Sequence, residues 1–385
     1  MRSMGDLLAG ADGRRFLGSR GVVIGAEGFA ELLRPPARPG LADLFGLAPA
    51  TRLVYVAHQT HADLRRSVGS KFRAARDLRA DSLTSVALWL DMDRAGSDKA
   101  STTITWPLPD GKASVRLVPQ RLRDLEPRFL PVERSRLEEV TEAIGGWIDL
   151  AVGDPDRRAR AKERLEALSQ AIVGEEDATT LARTNLALVS FLLRERFGFQ
   201  PPGALVSTIA SLGLLTDTIN DCLSEIDDVV GVFNRAVEDL IAADVDPVVH
   251  QLDDAYLPLH YSCDRCGARR RLRRERAGSD TFAVLACTCG EGRRFHLGDR
   301  ALSLGELEAT ERWSVDVTLP VYLNDLASGV VAGRSSALYG LVLREVLEKV
   351  LGRQAIPVML PDDLADSLGD DAFGDSALYG YLVGT

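Results

Sequence analysis

Apolar and polar positions change period several times along the chain, and each change marks an expected element. Arg52-Leu53-Val54-Tyr55-Val56-Ala57 is a near-continuous apolar run of strand length, preceded by the Pro/Gly-rich punctuation Arg34-Pro35-Pro36-Ala37-Arg38-Pro39-Gly40. The polar turn His58-Gln59-Thr60-His61 follows. Over residues 62–78 apolar and basic positions recur at helical spacing, and Ser85-Val86-Ala87-Leu88-Trp89-Leu90 reads as a second strand running into Asp91-Met92-Asp93. Strand, turn, helix and strand make a βαβ unit. Parallel crossovers of this hand place ligands beyond the carboxyl ends of the strands, here residues 58–61 and 91–98. Thr102 to Trp106 and Ser114 to Val118 predict a strand pair turned by Pro109-Asp110-Gly111-Lys112.

The period then lengthens. Residues 133–243 are patterned as helices, with a start signal at Ser135-Arg136-Leu137-Glu138 and long amphipathic stripes over 181–197 and 205–223. After a cysteine segment, residues 314–352 and Ala355-Ile356-Pro357-Val358-Met359-Leu360 restore a strand, helix, strand alternation. The expectation is an α/β fold whose parallel-sheet core is split. Residues 1–130 form its first half, 131–250 a helical insertion, 251–300 a zinc ribbon and 301–385 its second half.

Composition narrows the class. With 385 residues, 45% apolar and 26% charged, the chain has globular proportions and room for more than one module. A formal charge of -10 argues against a surface that tracks a phosphate backbone throughout, so any nucleic-acid contact must be local. The first 17 residues mix Asp6, Asp12, Arg14 and Arg15 with small residues, unlike a secretory signal, and no uninterrupted apolar run reaches membrane-spanning length. A cytoplasmic protein with no membrane association is expected, and there paired thiols favour metal over disulfide.

Cys263-Asp264-Arg265-Cys266, followed after twenty residues by Cys287-Thr288-Cys289, has the two-knuckle spacing of a zinc ribbon. Four thiolates would close a tetrahedral shell around a structural zinc with no open position for water. The second knuckle is Cys-x-Cys, which leaves His296 as a substitute ligand. Gly267 and Gly290, each directly after a knuckle, supply backbone freedom. Four ordinary cysteines in a hairpin is the competing reading. Cys222 lies in a helical stripe as a small core residue. Between the knuckles, Arg269-Arg270-Arg271-Leu272-Arg273-Arg274-Glu275-Arg276 either grips a polyanion such as RNA or forms a solvated face.

Three segments can carry chemistry. His58 and His61, between a strand end and a helix start, can donate hydrogen bonds to a phosphoryl group, or serve a structural role. Asp91 and Asp93 alternate along a strand end, where one can hold an amine, a ribose or Mg²⁺; both can equally cap the loop. In Val331-Ala332-Gly333-Arg334-Ser335-Ser336, which leads into a helix over 337–351, Gly333 permits close backbone approach. Ser335 and Ser336 can cap the helix, and Arg334 can pair with a phosphate or carboxylate; a plain helix cap is the alternative.

Together these segments resemble the bacillithiol-biosynthesis cysteine-adding enzyme family (BshC). The likeness runs through residues 54–60, the helix with Lys71, Trp89-Leu90-Asp91-Met92-Asp93, Phe233-Asn234, Val248-Val249-His250-Gln251 and Ser314-Val315-Asp316-Val317. It continues through Asn324-Asp325, Gly333, Tyr339 and Pro357-Val358-Met359-Leu360-Pro361. The family's Gly-Gln-Gln turn is matched by His58-Gln59-Thr60, and Ser336 stands where the family has glutamate. The His58 turn is also similar to the His-x-Gly-His signature of class I aminoacyl-tRNA synthetases, with Thr60 in place of glycine. Class I lysyl-tRNA synthetases similarly combine a His-rich turn, an Asp-Met-Asp strand end and a zinc module, with Arg312-Trp313 and Asp316 in a comparable place. These resemblances imply a Rossmann-like, class I synthetase or nucleotidyltransferase-like core. They imply an amino-acid ligase or transferase, with a small molecule or carrier as acceptor. ATP or ADP, with Mg²⁺, would bind between 58–61 and 333–336. Lys71, Gly333, Arg334, Ser335 and Ser336 would contact the nucleotide, His58 and His61 would stabilise phosphate, and Asp91 or Asp93 would hold an amine. The alternative is a non-catalytic zinc-ribbon protein that binds RNA or a protein partner.

Overall fold

A segment as apolar as Leu53-Val54-Tyr55-Val56 can be solvent-free only if both faces of its sheet are covered, and in the computed structural model all four residues are buried. The structure describes residues 1–78, 82–97, 99–173, 178–316, 319–362 and 376–384; Asp98 and Val317, quoted above, lie outside them. The chain divides into two compact units. One comprises Met1–Ala57, Ser70–Leu88 and Pro201–Asp366, the other His58–Gly69, Trp89–Gln200 and Ser367–Thr385.

The first unit is built on a six-stranded sheet, in the spatial order Val22–Ile24, Val358–Leu360, Gly329–Val331, Arg52–Gln59, Leu83–Leu90 and Gly203–Leu205. The first four strands pair in parallel, with Val22 and Val330 both opposite Val358, and Val330 opposite Tyr55. A strand from residue 329 thus lies directly beside one from residue 52, so the core is split in sequence and Rossmann-like in form. Helix Arg334–Lys349 follows Gly329–Val331 and buries Ala337, Leu338, Leu341, Val342 and Val346, the spacing of one helical face. Each of the Leu and Val side chains contributes about 1.5–3 kcal/mol by leaving water. The outer strands Val22–Ile24 and Gly203–Leu205 have three residues each, too few to show a period.

The same unit carries a five-stranded antiparallel sheet, ordered Gly292–Gly298, Asp280–Ala286, Arg269–Ala277, Tyr256–Ser262 and Trp313–Val315. The strand at Ser314 was expected to reopen the parallel core. Instead Ser314 pairs with His260 and closes the cysteine sheet. Its residues Trp313, Ser314 and Val315 are all buried, and the Ser314 hydroxyl accepts from Arg269 at 3.0 Å, so it needs this neighbour. The expected stripe over 205–223 is also interrupted, forming Gly203–Leu205, Val206–Ser211 and Thr216–Ser224.

The second unit contains the hairpin Thr103–Leu108 and Gly111–Arg116, turned tightly at Pro109-Asp110 with Leu108 opposite Gly111. Helices Arg134–Ala151, Pro155–Ile172 and Leu181–Phe197 follow, and the last helix, Ala377–Val383, packs on the second and third of them. Trp106 is buried and meets Tyr379 edge-on at 4.9 Å. The helical stretch 131–250 is therefore shared between units, changing over at Gln200 and Pro201. Among the described residues no helix is long and apolar enough to cross a membrane.

Candidate metal centre and candidate anion site

Two antiparallel hairpins present the cysteines. Ser262 pairs with Arg269, so the intervening turn carries Cys263 and Cys266; Ala286 pairs with Gly292, so the next turn carries Cys287 and Cys289. In the first knuckle the Cys263 N–H donates to the Ala268 carbonyl (3.0 Å) and the Gly267 N–H to the Cys263 carbonyl (2.8 Å). The second knuckle repeats this with Cys287 N–H to Glu291 (2.9 Å) and Gly290 N–H to Cys287 (2.9 Å). Gly267 and Gly290 take φ of +73° and +88°, which side-chain-bearing residues resist. All four Sγ atoms lie within 4.8 Å of one another, with Cys263 to Cys289 at 3.6 Å and Cys266 to Cys287 at 3.5 Å. Disulfide sulfurs sit about 2.05 Å apart, whereas tetrahedral Zn–S bonds of about 2.3 Å separate sulfurs by roughly 3.8 Å. The cluster has the dimensions of a metal cage.

Burial pushes the Cys266 thiol up to about 12. Burial also opposes ionisation of Cys287, but the Cys289 N–H, the Cys289 and Cys266 thiols and Arg270 bring it down to about 6. His296 is not part of the cluster. Its Nε2 meets Asp280 Oδ1 at 3.2 Å and its ring lies against Phe282, so the ligand set is the four cysteines. Cys222, as expected, is a buried core residue.

The arginines between the knuckles meet acceptors of their own chain. Arg269 is buried and donates to Ser314 Oγ and the Val315 carbonyl, both at 3.0 Å; Arg270 donates to Thr288 Oγ1 at 3.0 Å. Arg271 faces Asp316 (3.7 Å), Arg273 faces Asp253 (3.1 Å), and Arg274 and Arg276 share Asp227 (2.7 and 2.5 Å).

At the carboxyl edge of the parallel sheet the situation is reversed. Lys71, on helix Arg66–Asp77, is only 5% exposed, and its Nζ donates to the Ala57 carbonyl at 3.0 Å. Among the described residues it has no carboxylate partner, and burial lowers its pKa to about 8. A Cβ at Gly333 would lie 4.0 Å from Lys71 Cδ, which places the lysine beside the start of helix Arg334–Lys349. That helix begins earlier than expected. Gly333 is its N-cap and no side chain caps it, so Ser335 and Ser336 are exposed first-turn residues and not caps. Arg334 has buried Nε and Nη2 atoms with no hydrogen-bond partner. An uncapped helix start and an ammonium without a carboxylate lie next to one another here, and Arg334, the first residue of that helix, keeps two buried nitrogens without a partner.

The remaining expected residues belong to the second unit. His58 Nε2 lies 3.3 Å from His61 Nδ1, with the rings edge-on at 4.5 Å. His61 Nε2 is 3.3 Å from Gln59 Oε1, and Gln59 Nε2 donates to Asp93 Oδ2 at 2.8 Å. Because the Gln59 oxygen can only accept, His61 Nε2 is the donor in that contact, and Asp93 accepts from the Gln59 amide. Asp93 also caps the Arg94 N–H at 2.7 Å, and Asp91 is fully buried. Sequence reasoning did not give Gln59 this linking role, although it occupies the middle of the resembling turn. It also passed over Asn185, whose Nδ2 donates to the carbonyls of Thr60 (2.9 Å) and Ser101 (2.8 Å). Lys71 and residues 333–336 thus fall in one unit and His58, His61, Asp91 and Asp93 in the other. Among the described residues the four cysteines are the group of three or more side chains arranged to hold a metal, and Asp91 and Asp93 are not in it.

No protein-family model matches the chain, and no curated protein matches it.

Proposed function

We propose that the first unit binds the phosphate of a nucleotide at the carboxyl edge of its parallel sheet, and that the chain acts as an amino-acid ligase or transferase using that nucleotide or an activated acyl group. The observation that carries the binding step is Lys71, buried without a carboxylate beside Gly333 and the helix start. A buried cation has to be compensated, and phosphate oxygens would supply what Lys71 and Arg334 lack. The ligase or transferase reading rests on the resemblance to the cysteine-adding and class I synthetase families, with a small molecule or carrier as acceptor. The cysteine cluster is read as a structural zinc site, because four thiolates close the shell and favour a soft tetrahedral ion.

Calorimetric titration with ATP and ADP tests the binding step. Saturable binding that is lost in Lys71→Met and weakened in Arg334→Ala supports it, and equal affinity in all three proteins removes it. Amino-acid-dependent turnover of the bound nucleotide tests the ligase step separately. The alternative of a zinc-ribbon protein that holds RNA has less support, because Arg269, Arg271, Arg273, Arg274 and Arg276 already meet acceptors in their own chain.

A further inference from the structure

The amino edge of the parallel sheet, the end opposite Lys71, holds a cavity of about 250 Å³ within the first unit. Liquid water takes about 30 Å³ per molecule, so the space suits one small organic ligand. Ser328, the residue before strand Gly329–Val331, and Pro357, the residue before Val358–Leu360, both line it. The segment after helix Phe29–Leu32 supplies Arg34, Pro35 and Pro36, and the residues after helix Leu319–Tyr322 supply Asn324 and Asp325. The Arg38 N–H donates to the Asp325 carbonyl at 2.9 Å and ties these two segments together. Prolines fix φ, so this lining is stiff before any ligand arrives.

Asn324 is the residue that points to a ligand. It is 7% exposed and lines the cavity. Its Oδ1 accepts the Ile356 N–H at 3.1 Å, which fixes the orientation of the amide and makes the other end, Nδ2, the donor. Nδ2 donates to nothing among the described residues, yet it is not sealed in the protein and keeps surface that a ligand can reach. The charges around it agree. Asp325 is held by Arg353 Nη1 at 3.0 Å and lies 3.9 Å from Arg38 Nε, and Arg353 also pairs with Asp221. Arg34, by contrast, is exposed at the cavity and has no acidic partner among the described residues. A lining acid already matched, a lining cation unmatched and a buried amide with only its donor end open favour a ligand that accepts hydrogen bonds and carries negative charge.

We propose that this cavity binds a small monocarboxylate, its oxygens accepting from Asn324 Nδ2 and Arg34, and its apolar part against Pro35, Pro36, Ile356 and Pro357. This goes beyond nucleotide binding at the carboxyl edge and does not depend on it.

Calorimetric titration of the full chain with benzoate tests the assignment, with benzamide as the neutral control. One saturable benzoate site is expected. Benzamide keeps an acceptor but lacks the charge, and should bind about ten-fold more weakly. Asn324→Asp keeps Oδ1 for the Ile356 N–H and puts an acceptor where Nδ2 donates, so it should weaken benzoate binding by about ten-fold or more. Arg34→Gln, an exposed change with no acidic partner to disturb, should weaken it about ten-fold, the scale of a lost hydrogen bond to a charged group. Absence of saturable benzoate binding in the unaltered protein overturns the proposal. Benzamide binding as tightly as benzoate also overturns it, as does unchanged benzoate affinity in a folded Asn324→Asp or in Arg34→Gln. If Asn324→Asp does not fold, Arg34→Gln decides. Lys71→Met should not affect benzoate binding, so failure here and failure of the nucleotide reading are separable.

Discussion

The cysteine sheet and the carboxyl edge of the parallel sheet belong to the same unit but treat charge in opposite ways. In the cysteine sheet, Arg269 is buried and donates to Ser314 and the Val315 carbonyl, Arg274 and Arg276 converge on Asp227, and the four sulfurs face one another across a metal-sized gap. At the parallel edge, Lys71 is equally buried with only a backbone carbonyl, and Arg334 keeps two buried nitrogens unused. Folding alone does not favour the second arrangement, since unpaired buried donors cost free energy. The contrast teaches that, within one unit, the density of charge does not show which buried cation lacks a counter-ion. The arginine run is richer in charge and paired with carboxylates at Asp316, Asp253 and Asp227, although Arg270 Nε and Arg274 Nη1 are buried without a partner, whereas Lys71 has a backbone carbonyl and no carboxylate among the described residues.

The contrast is broken most severely through the metal. Cys263→Ser should lower bound zinc from about one per chain toward zero and destabilise the protein by more than about 4 kcal/mol, because metal affinity in such cages is folding free energy. Metal analysis together with thermal unfolding checks this. A zinc-free variant with unchanged melting would show that the antiparallel hairpins hold the cluster unaided.

Lys71→Met should act in the opposite direction on stability. Burial lowers the lysine from 10.5 to about 8, a cost on the order of 3 kcal/mol that the apolar variant removes, while it also removes nucleotide binding. The pH dependence has a definite sign. Below about pH 8 both folded and unfolded states hold the proton and the full cost is present. Between about 8 and 10.5 the unfolded state binds more protons, so stability rises with pH; above 10.5 the cost is gone. Denaturant titrations at several pH values should show this rise as a difference between the unaltered protein and Lys71→Met. No difference in slope would mean that the lysine is solvated. A phosphate ligand should raise the Lys71 pKa again, so ADP binding near pH 9 should take up protons.

How far the sequence shows all this depends on the range of each signal. The cysteine knuckles were legible because they are local: two short turns with glycine after each carry the geometry. The strand at residues 52–57 was legible from its unbroken apolar run, and its role beside the later strands followed from the strand and helix alternation. The partner of Ser314 was not legible, since Trp313–Val315 has three residues and its choice of sheet depends on Arg269, forty-five positions away. The isolation of Lys71 was equally invisible. A lysine in a helix gives no sign that burial will leave it without a carboxylate, and only the fold places Gly333 next to it.

Two arginines of the cysteine sheet separate buried complementarity from mere charge. Arg269→Met would leave the Ser314 hydroxyl and Val315 carbonyl short of a buried donor, an expected loss of about 2 kcal/mol in chemical denaturation. Arg273→Ala should cost less than about 0.5 kcal/mol and respond weakly to salt, since both Arg273 and Asp253 have more than half their side-chain surface in water (58% and 55%). The smaller effect is the more discriminating one. Asp253 also accepts the Ala255 N–H at 3.0 Å, so it keeps a partner when the arginine is gone, and water replaces what is lost. A loss above about 1 kcal/mol for Arg273→Ala would mean that the surface pairs act as one network. In that case the arginine run would be structural along its whole length, and the charge difference between the two sheets would be one of burial depth alone.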